Sequence, residues 1–299
     1  MPRSSNVRPF TPWITAIAMW TLGARLCAGE VIYFNDTPNS QMATASRPDA
    51  SGFEIESADD FVLTRSALIT NATFTGLFVG SASAPTVIEV VIEIYRVFPT
   101  DSDTTRTPAV PTRNNSPSDV EFVGRDSAVA GDLSFATSTL STSFTAANSV
   151  EPGGIPAPPL PSPLPPTGGD GAVTGTEVAF SIDFSSAMLL PPGHYFFVPQ
   201  VELGDGDTFL WLSASRPVSG AGTTPFPAGF TDLQTWTRDE GLDPDWLRVG
   251  TDIVGPQDGV TRTFNAAFSL SGTVPEPGSL ALVGAGLVAA WWYRRRRRR

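Results

Sequence analysis

Residues 86–98 read TVIEVVIEIYRVF. Ile88, Val90, Ile92 and Ile94 fall on one side of an extended chain, and Glu89 and Glu93 on the other. Period-two alternation of β-branched residues predicts a strand with one face in a core and one in water. The same logic recurs in TEVAFSIDF (176–184). There Val178, Phe180, Ile182 and Phe184 point inward, against Glu177, Ser181 and Asp183. It recurs again in TFNAAFSLSG (263–272), with Phe264, Ala266, Phe268 and Leu270 inward. Further strands are expected at 31–34, 61–63, 68–79, 195–203 and 209–214. Between the two chain ends no segment sustains a helical period. Many strands, Gly/Pro turns and no βα alternation predict an all-β fold: an antiparallel β-sandwich of jelly-roll type. No repeat of constant period points to a propeller or solenoid.

Two insertions interrupt the strands. Residues 99–118 are polar and turn-rich, and residues 152–171 contain PGGIPAPPLPSPLPP, with eight prolines in fifteen positions. A run that rich in proline cannot donate to a sheet ladder and reads as a solvated loop or spacer. It is not expected to divide two domains.

All 19 basic residues are arginine. Three lie in the first 29 residues and six form the end of the chain; ten share the span between with all 30 acidic residues. So acidic a body repels nucleic acid and anionic membrane surfaces, and no nucleic-acid partner is expected.

The N-terminus has the layout of a cleavable secretory signal helix over residues 1–29. Arg3 and Arg8 precede the apolar WITAIAMWTLGA (13–24), and the small residues Ala28 and Gly29 precede EVIYF. The single cysteine, Cys27, falls inside that segment, so the mature chain has no disulfide and no thiolate metal site.

A search for chemistry finds little. His194, in PPGHYFF, is the single histidine. No G-x-S-x-G elbow accompanies it, and one imidazole builds neither a triad nor a zinc site. No catalytic residue is expected. Asp59 and Asp60 are adjacent on a strand, so they face opposite ways and make a poor acid/base pair. LGDGDTF (203–209) reads first as a hairpin turn and second as a weak Ca²⁺ loop with Asp205 and Asp207; no other cofactor is expected. Trp211 lies in an apolar strand and reads as core. Trp236 and Trp246 sit in the polar QTWTRDEGLDPDWLR (234–248) and are candidates for stacking on sugar rings.

The chain ends VPEPGSLALVGAGLVAAWWYRRRRRR (274–299). A Pro-Glu-Pro triplet, an apolar run and an arginine cluster, in that order, resemble the PEP-CTERM sorting signal of bacterial secreted proteins. The resemblance implies that Pro275, Glu276 and Pro277 are the sorting motif and that an exosortase-type enzyme is the partner. It also implies delivery to the cell surface or the exopolysaccharide matrix after a transient stay at the inner membrane. More loosely, ADDFVL (58–63), FTGLF (74–78), GHYFF (193–197) and AFSLSG (267–272) resemble a recurrent ectodomain of such proteins.

The apolar run 279–293 would span about 22 Å as a helix, short against a hydrocarbon core of about 30 Å. Trp291, Trp292 and Tyr293 would sit at the interface, with Arg294, Arg295, Arg296, Arg297, Arg298 and Arg299 held on the cytoplasmic side. The expected organisation is a signal at 1–29, a β-sandwich ectodomain at 30–273 and a sorting signal with a short transmembrane helix at 274–299. The expected function is that of an exported, non-enzymatic surface or matrix protein. Two alternatives are a carbohydrate-binding module for exopolysaccharide and a carboxylate-based glycoside hydrolase or lyase.

Overall fold

The computed structural model describes residues 29–49, 53–80, 85–100, 114–157, 159–161, 163–204, 206–215, 233–242, 245–275 and 295. The first strands are β1 (Glu30–Asn35), β2 (Pro38–Ala45), β3 (Ile55–Leu63), β4 (Ala67–Val79), β5 (Val87–Val97) and β6 (Pro117–Ser127). Then come β7 (Leu133–Ala146), β8 (Asn148–Val150), β9 (Val173–Leu190), β10 (Gly193–Leu203) and β11 (Thr208–Ala214). The last are β12 (Trp236–Asp239), β13 (Leu247–Arg248), β14 (Asn265–Ala266) and β15 (Phe268–Thr273). A 3₁₀ turn at Pro152–Gly154 and a π-helical turn at Val249–Val254 are the short helical pieces.

The strands form two sheets. β4 is the spine of the first: β9 pairs along one edge, with β7 beyond it. On the other edge of β4, β15 pairs over Leu68–Phe74 and β11 over Gly76–Val79, so the sheet forks. One branch continues to β1, the other to β2 and β8. Gly76 marks the fork, where a Cβ would strike the Phe209 ring and the Leu210 carbonyl. Ala267, between β14 and β15, ties the branches: its carbonyl accepts Thr75 N–H, and its own N–H donates to Leu212 O. The second sheet runs β13-β12-β3-β10-β5-β6.

The inner faces share one core. Phe74, Phe180 and Phe268 come from the first sheet, and Phe61, Ile92 and Phe197 from the second. Phe197 stacks on Phe268 at 5.0 Å and Phe74 on Phe180 at 4.6 Å. The two-layer, all-β expectation is therefore met, but the jelly-roll order is not. A jelly roll interlocks eight antiparallel strands in two Greek keys. Among the described residues the first sheet forks, the two sheets hold nine and six strands, and β2 pairs with β8 in parallel.

The inward residues named from the three alternating segments are buried, with one correction. Ile88 has the right parity yet is 53% exposed. The register skips it, pairing Glu202 with Glu89 and Leu203 with Val87, and such a bulge re-aims the extra side chain.

The Pro-rich insertion is a largely exposed loop, as expected, but it is not a free spacer. Ile155, Leu160 and Leu164 pack on a second apolar cluster with Leu210, Leu247 and Ile253. Thr167 Oγ1 donates to Gly154 O at 2.7 Å, and Gly168 N–H to Ile253 O at 3.0 Å. LGDGDTF is not a hairpin either. Gly206 has the expected positive φ, but the strands it joins lie in different sheets. Residues 1–28 of the signal expected at 1–29, and residues 276–294 and 296–299 of the tail, lie outside the described residues. Among the described residues no helix is long and apolar enough to cross a membrane.

Candidate functional site

Two regions carry chemistry. The first is the junction with the tail. β15 ends at Thr273, Val274 packs against the main core, and Pro275 follows at once. β1 and β15 are antiparallel neighbours, with Glu30 opposite Gly272. The chain therefore enters and leaves the folded body at one corner. Of the sorting and topology residues, Pro275 and Arg295 are described; Glu276, Pro277, Trp291, Trp292, Tyr293, Arg294, Arg296, Arg297, Arg298 and Arg299 lie outside.

The second region is the outer face of the second sheet, which the strand pattern assigns to water. It is buried instead. Every residue of β3 is buried, on both faces. Register explains who meets there. Arg238 of β12 lies opposite Glu56 of β3, Trp236 opposite Ala58, Phe196 of β10 opposite Tyr95 of β5, and Val198 opposite Glu93. Ala58, Tyr95, Phe196, Val198, Trp236 and Trp246 form an apolar cluster on this face.

Within it sits a charged network. Tyr95 Oη lies 3.0 Å from Glu56 Oε1 and 2.9 Å from Glu93 Oε2. Arg238 donates from Nε to Glu56 Oε2 and from Nη2 to Tyr95 Oη, the latter at 3.3 Å. The Trp246 ring lies 4.5 Å from the Arg238 guanidinium carbon, a cation–π contact. Burial pushes the Glu56 carboxyl up to about 7; Arg238 opposes the shift and Glu93 adds to it. Glu54, just before β3, completes an acidic trio, and Gln200 Nε2 donates to its Oε1 at 2.9 Å.

Trp236 and Trp246 are therefore corrected as a sugar platform. Both are fully buried, sealing the charged face rather than offering a ring to solvent. Asp205 lies outside the described residues. Asp207 folds its carboxylate over the α-carbon of Gly80, and its N–H donates to Gly204 O at 3.3 Å.

Asp59 and Asp60 do face opposite ways. Asp59 is inside, its Oδ2 accepting Ala266 N–H at 2.6 Å; burial, then Asp60, pushes its carboxyl up. Asp60 is outside, 2.6 Å from His194 Nε2. Burial pushes the imidazole down to about 4, so it stays neutral and donates its Nε2–H to Asp60. His194 also lines a cavity of about 330 Å³ with Arg96, Thr100, Pro191, Pro192 and Tyr195. No carboxylate lines that cavity among the described residues.

Sequence reasoning placed Glu93 on the polar face of β5 but missed what that face becomes. Glu56, Glu93 and Arg238 are far apart in the chain and meet only through sheet order. The available signal was IESADDFVL itself, an uninterrupted strand that carries Glu56, Asp59 and Asp60 with no turn residues beside them.

Residues 273–298 match the PEP-CTERM protein-sorting motif. No curated protein and no solved structure matches the chain. The motif marks the chain as an exosortase-processed protein bound for the cell surface or the extracellular space, by way of the membrane.

Proposed function

We propose that this chain, ending in an exosortase sorting motif, is a non-enzymatic structural component of the cell surface or extracellular matrix. The tail holds it briefly at the inner membrane, and processing at Pro275-Glu276-Pro277 delivers the acidic body. The observation that carries the reading is the motif at 273–298, set directly against β15 with no linker between them.

Two features support a non-enzymatic body. A glycosidase needs two carboxyl groups across an accessible cleft. The Glu56–Glu93 pair is buried and bridged by Tyr95, with Arg238 on Glu56. The carbohydrate-binding alternative loses its proposed platform with the burial of Trp236 and Trp246.

Intact-mass spectrometry of the protein from the extracellular and surface fractions tests the processing step. Chains ending near Pro275-Glu276-Pro277 are expected. A chain that keeps its six terminal arginines in those fractions would overturn it.

A further inference from the structure

We propose that the outer edge of β7, over Leu133–Thr139, pairs antiparallel with the same edge of a second copy of this chain. The first sheets of the two copies then join into one continuous sheet.

The edge is open and regular. β7 is hydrogen-bonded to β9 on one side, and among the described residues no strand pairs its other side. Leu133 to Thr139 run opposite Phe184 to Val178 without a bulge. Ser134 and all of Ala136–Thr139 are exposed. Register shifts begin at Ser141, whose Oγ bonds the backbone of Ser143, so the regular edge ends at Thr139.

It is also unguarded. An unpaired ladder edge is a template for another strand, and folded proteins blunt it with charge, proline, bulges or brevity. The other edges conform. β8, β13 and β14 have three, two and two residues. β1 starts on Glu30 and is bulged. β6 opens on Pro117, carries Asp119, Glu121, Arg125 and Asp126 in its sequence, and shifts register twice. β7 has no such guard over 133–139: neither a charged residue nor a proline lies between Asp132 and Glu151.

Charge and sequence select the occupant. Between its two ends the chain sets all 30 acidic residues against ten arginines. Two copies therefore repel over much of their surface, and a neutral edge is where they approach at least cost. The stretch LSFATST is also complementary to itself. A two-fold axis at Ala136, its midpoint, sets Phe135 opposite Thr137, Leu133 opposite Thr139 and Ser134 opposite Ser138. Aromatic–β-branched pairs and hydroxyl pairs are favourable across antiparallel strands. Leu133 and Phe135 belong to the core side, so the apolar pairs extend the core and the serines face outward. Such a contact is isologous and closes as a dimer. It does not rest on the sorting reading, since the body carries this edge whether or not the tail is processed.

Sedimentation of the purified full chain in density-matched detergent tests it. Wild type should dimerise reversibly, more weakly than about 1 µM, because one strand edge is smaller than a standard interface. Ala136→Glu sets two carboxylates face to face and should weaken the dimer by at least about tenfold. Ala136→Arg should do the same, and an equimolar mixture of the two should associate at least as tightly as wild type. Leu189→Glu adds the same charge at an exposed position on β9 beyond the end of β7, and should leave the dimer unchanged. Urea midpoints taken well below 1 µM protein, where every form is monomeric, should agree between Ala136→Glu and wild type and so show that the variant folds. A wild-type chain that stays monomeric up to about 1 mM, the effective concentration of tethered neighbours, overturns the proposal. So does an Ala136→Glu dimer as tight as wild type, which would place the contact in the tail or elsewhere. Failure of the mixed charges to restore association, or equal loss in Leu189→Glu, overturns it as well.

Discussion

The two faces of the second sheet are both buried, yet they are built from opposite materials. The inner face sets Phe61, Ile92 and Phe197 against the rings of the first sheet. The outer face sets Glu56, Glu93, Tyr95 and Arg238 beneath Trp246. The inner face gains stability from removing apolar area from water, and that gain does not depend on pH. The outer face gives up hydration of charges and regains it only through specific partners, so its contribution moves with every proton.

The largest expected effects separate the faces by their pH dependence rather than by size. Ile92→Ala should cost about 2–5 kcal/mol by leaving a core cavity, and Arg238→Ala about 3–5 kcal/mol by stranding a buried carboxylate. In urea melts the Ile92→Ala loss should be the same at pH 6 and pH 8. The Arg238→Ala loss should grow over that interval, because Glu56 titrates at about 7. Equal losses at both pH values would show that the outer network is not charged in the way described.

A finer separation comes from two titrating groups with opposite signs. Folded Glu56 keeps its proton up to about 7 rather than 4.5, so the folded state binds more protons between those values. Its stabilising contribution is full below 4.5 and is lost as pH rises to 7. Folded His194 stays neutral down to about 4 rather than 6.5. Its contribution is full above 6.5 and is lost as pH falls to 4. From 4.5 to 6.5 the two slopes oppose each other, each at up to about 1.4 kcal/mol per pH unit. Relative to wild type, Glu56→Gln should therefore lose stability on acidification through this window, and His194→Asn should gain it. Denaturation midpoints across pH 4.5–6.5 read both signs, and a shared sign would refute the pairing. The smallest effect is expected far from either face. Thr139→Lys, on the exposed stretch of β7, should change stability by no more than about 0.5 kcal/mol in the same melts.

The inner face was legible because its information is local. Val90, Ile92 and Ile94, or Phe180 and Ile182, announce their direction by alternation alone. The outer face was not legible, because alternation says which residues share a face and nothing about what covers it. Glu93 was correctly set opposite Ile92; that Arg238 and Trp246 would enclose its neighbours depends on β12 pairing with β3. Polar strands escaped for a related reason. β7, LSFATSTLSTSFTA, lies at an edge where serine and threonine suffice on both faces, so no apolar stripe marks it. The Pro-rich insertion did carry a signal in Ile155, Leu160 and Leu164, the apolar residues that pin it to the second cluster. At the tail the sorting motif was legible from residue order alone, because it is read as a linear signal.

The strand that feeds this tail has a mechanical meaning. β15 is hydrogen-bonded on both sides, to β1 and to β4. Antiparallel ladder bonds lie perpendicular to the strands. If processing fastens the body at this end, as proposed, a pull there would run along β15 and load both ladders in shear, many bonds at once. Peeling would instead break them one by one. A body held through β15 would therefore resist being torn from its support better than one held through a strand that peels.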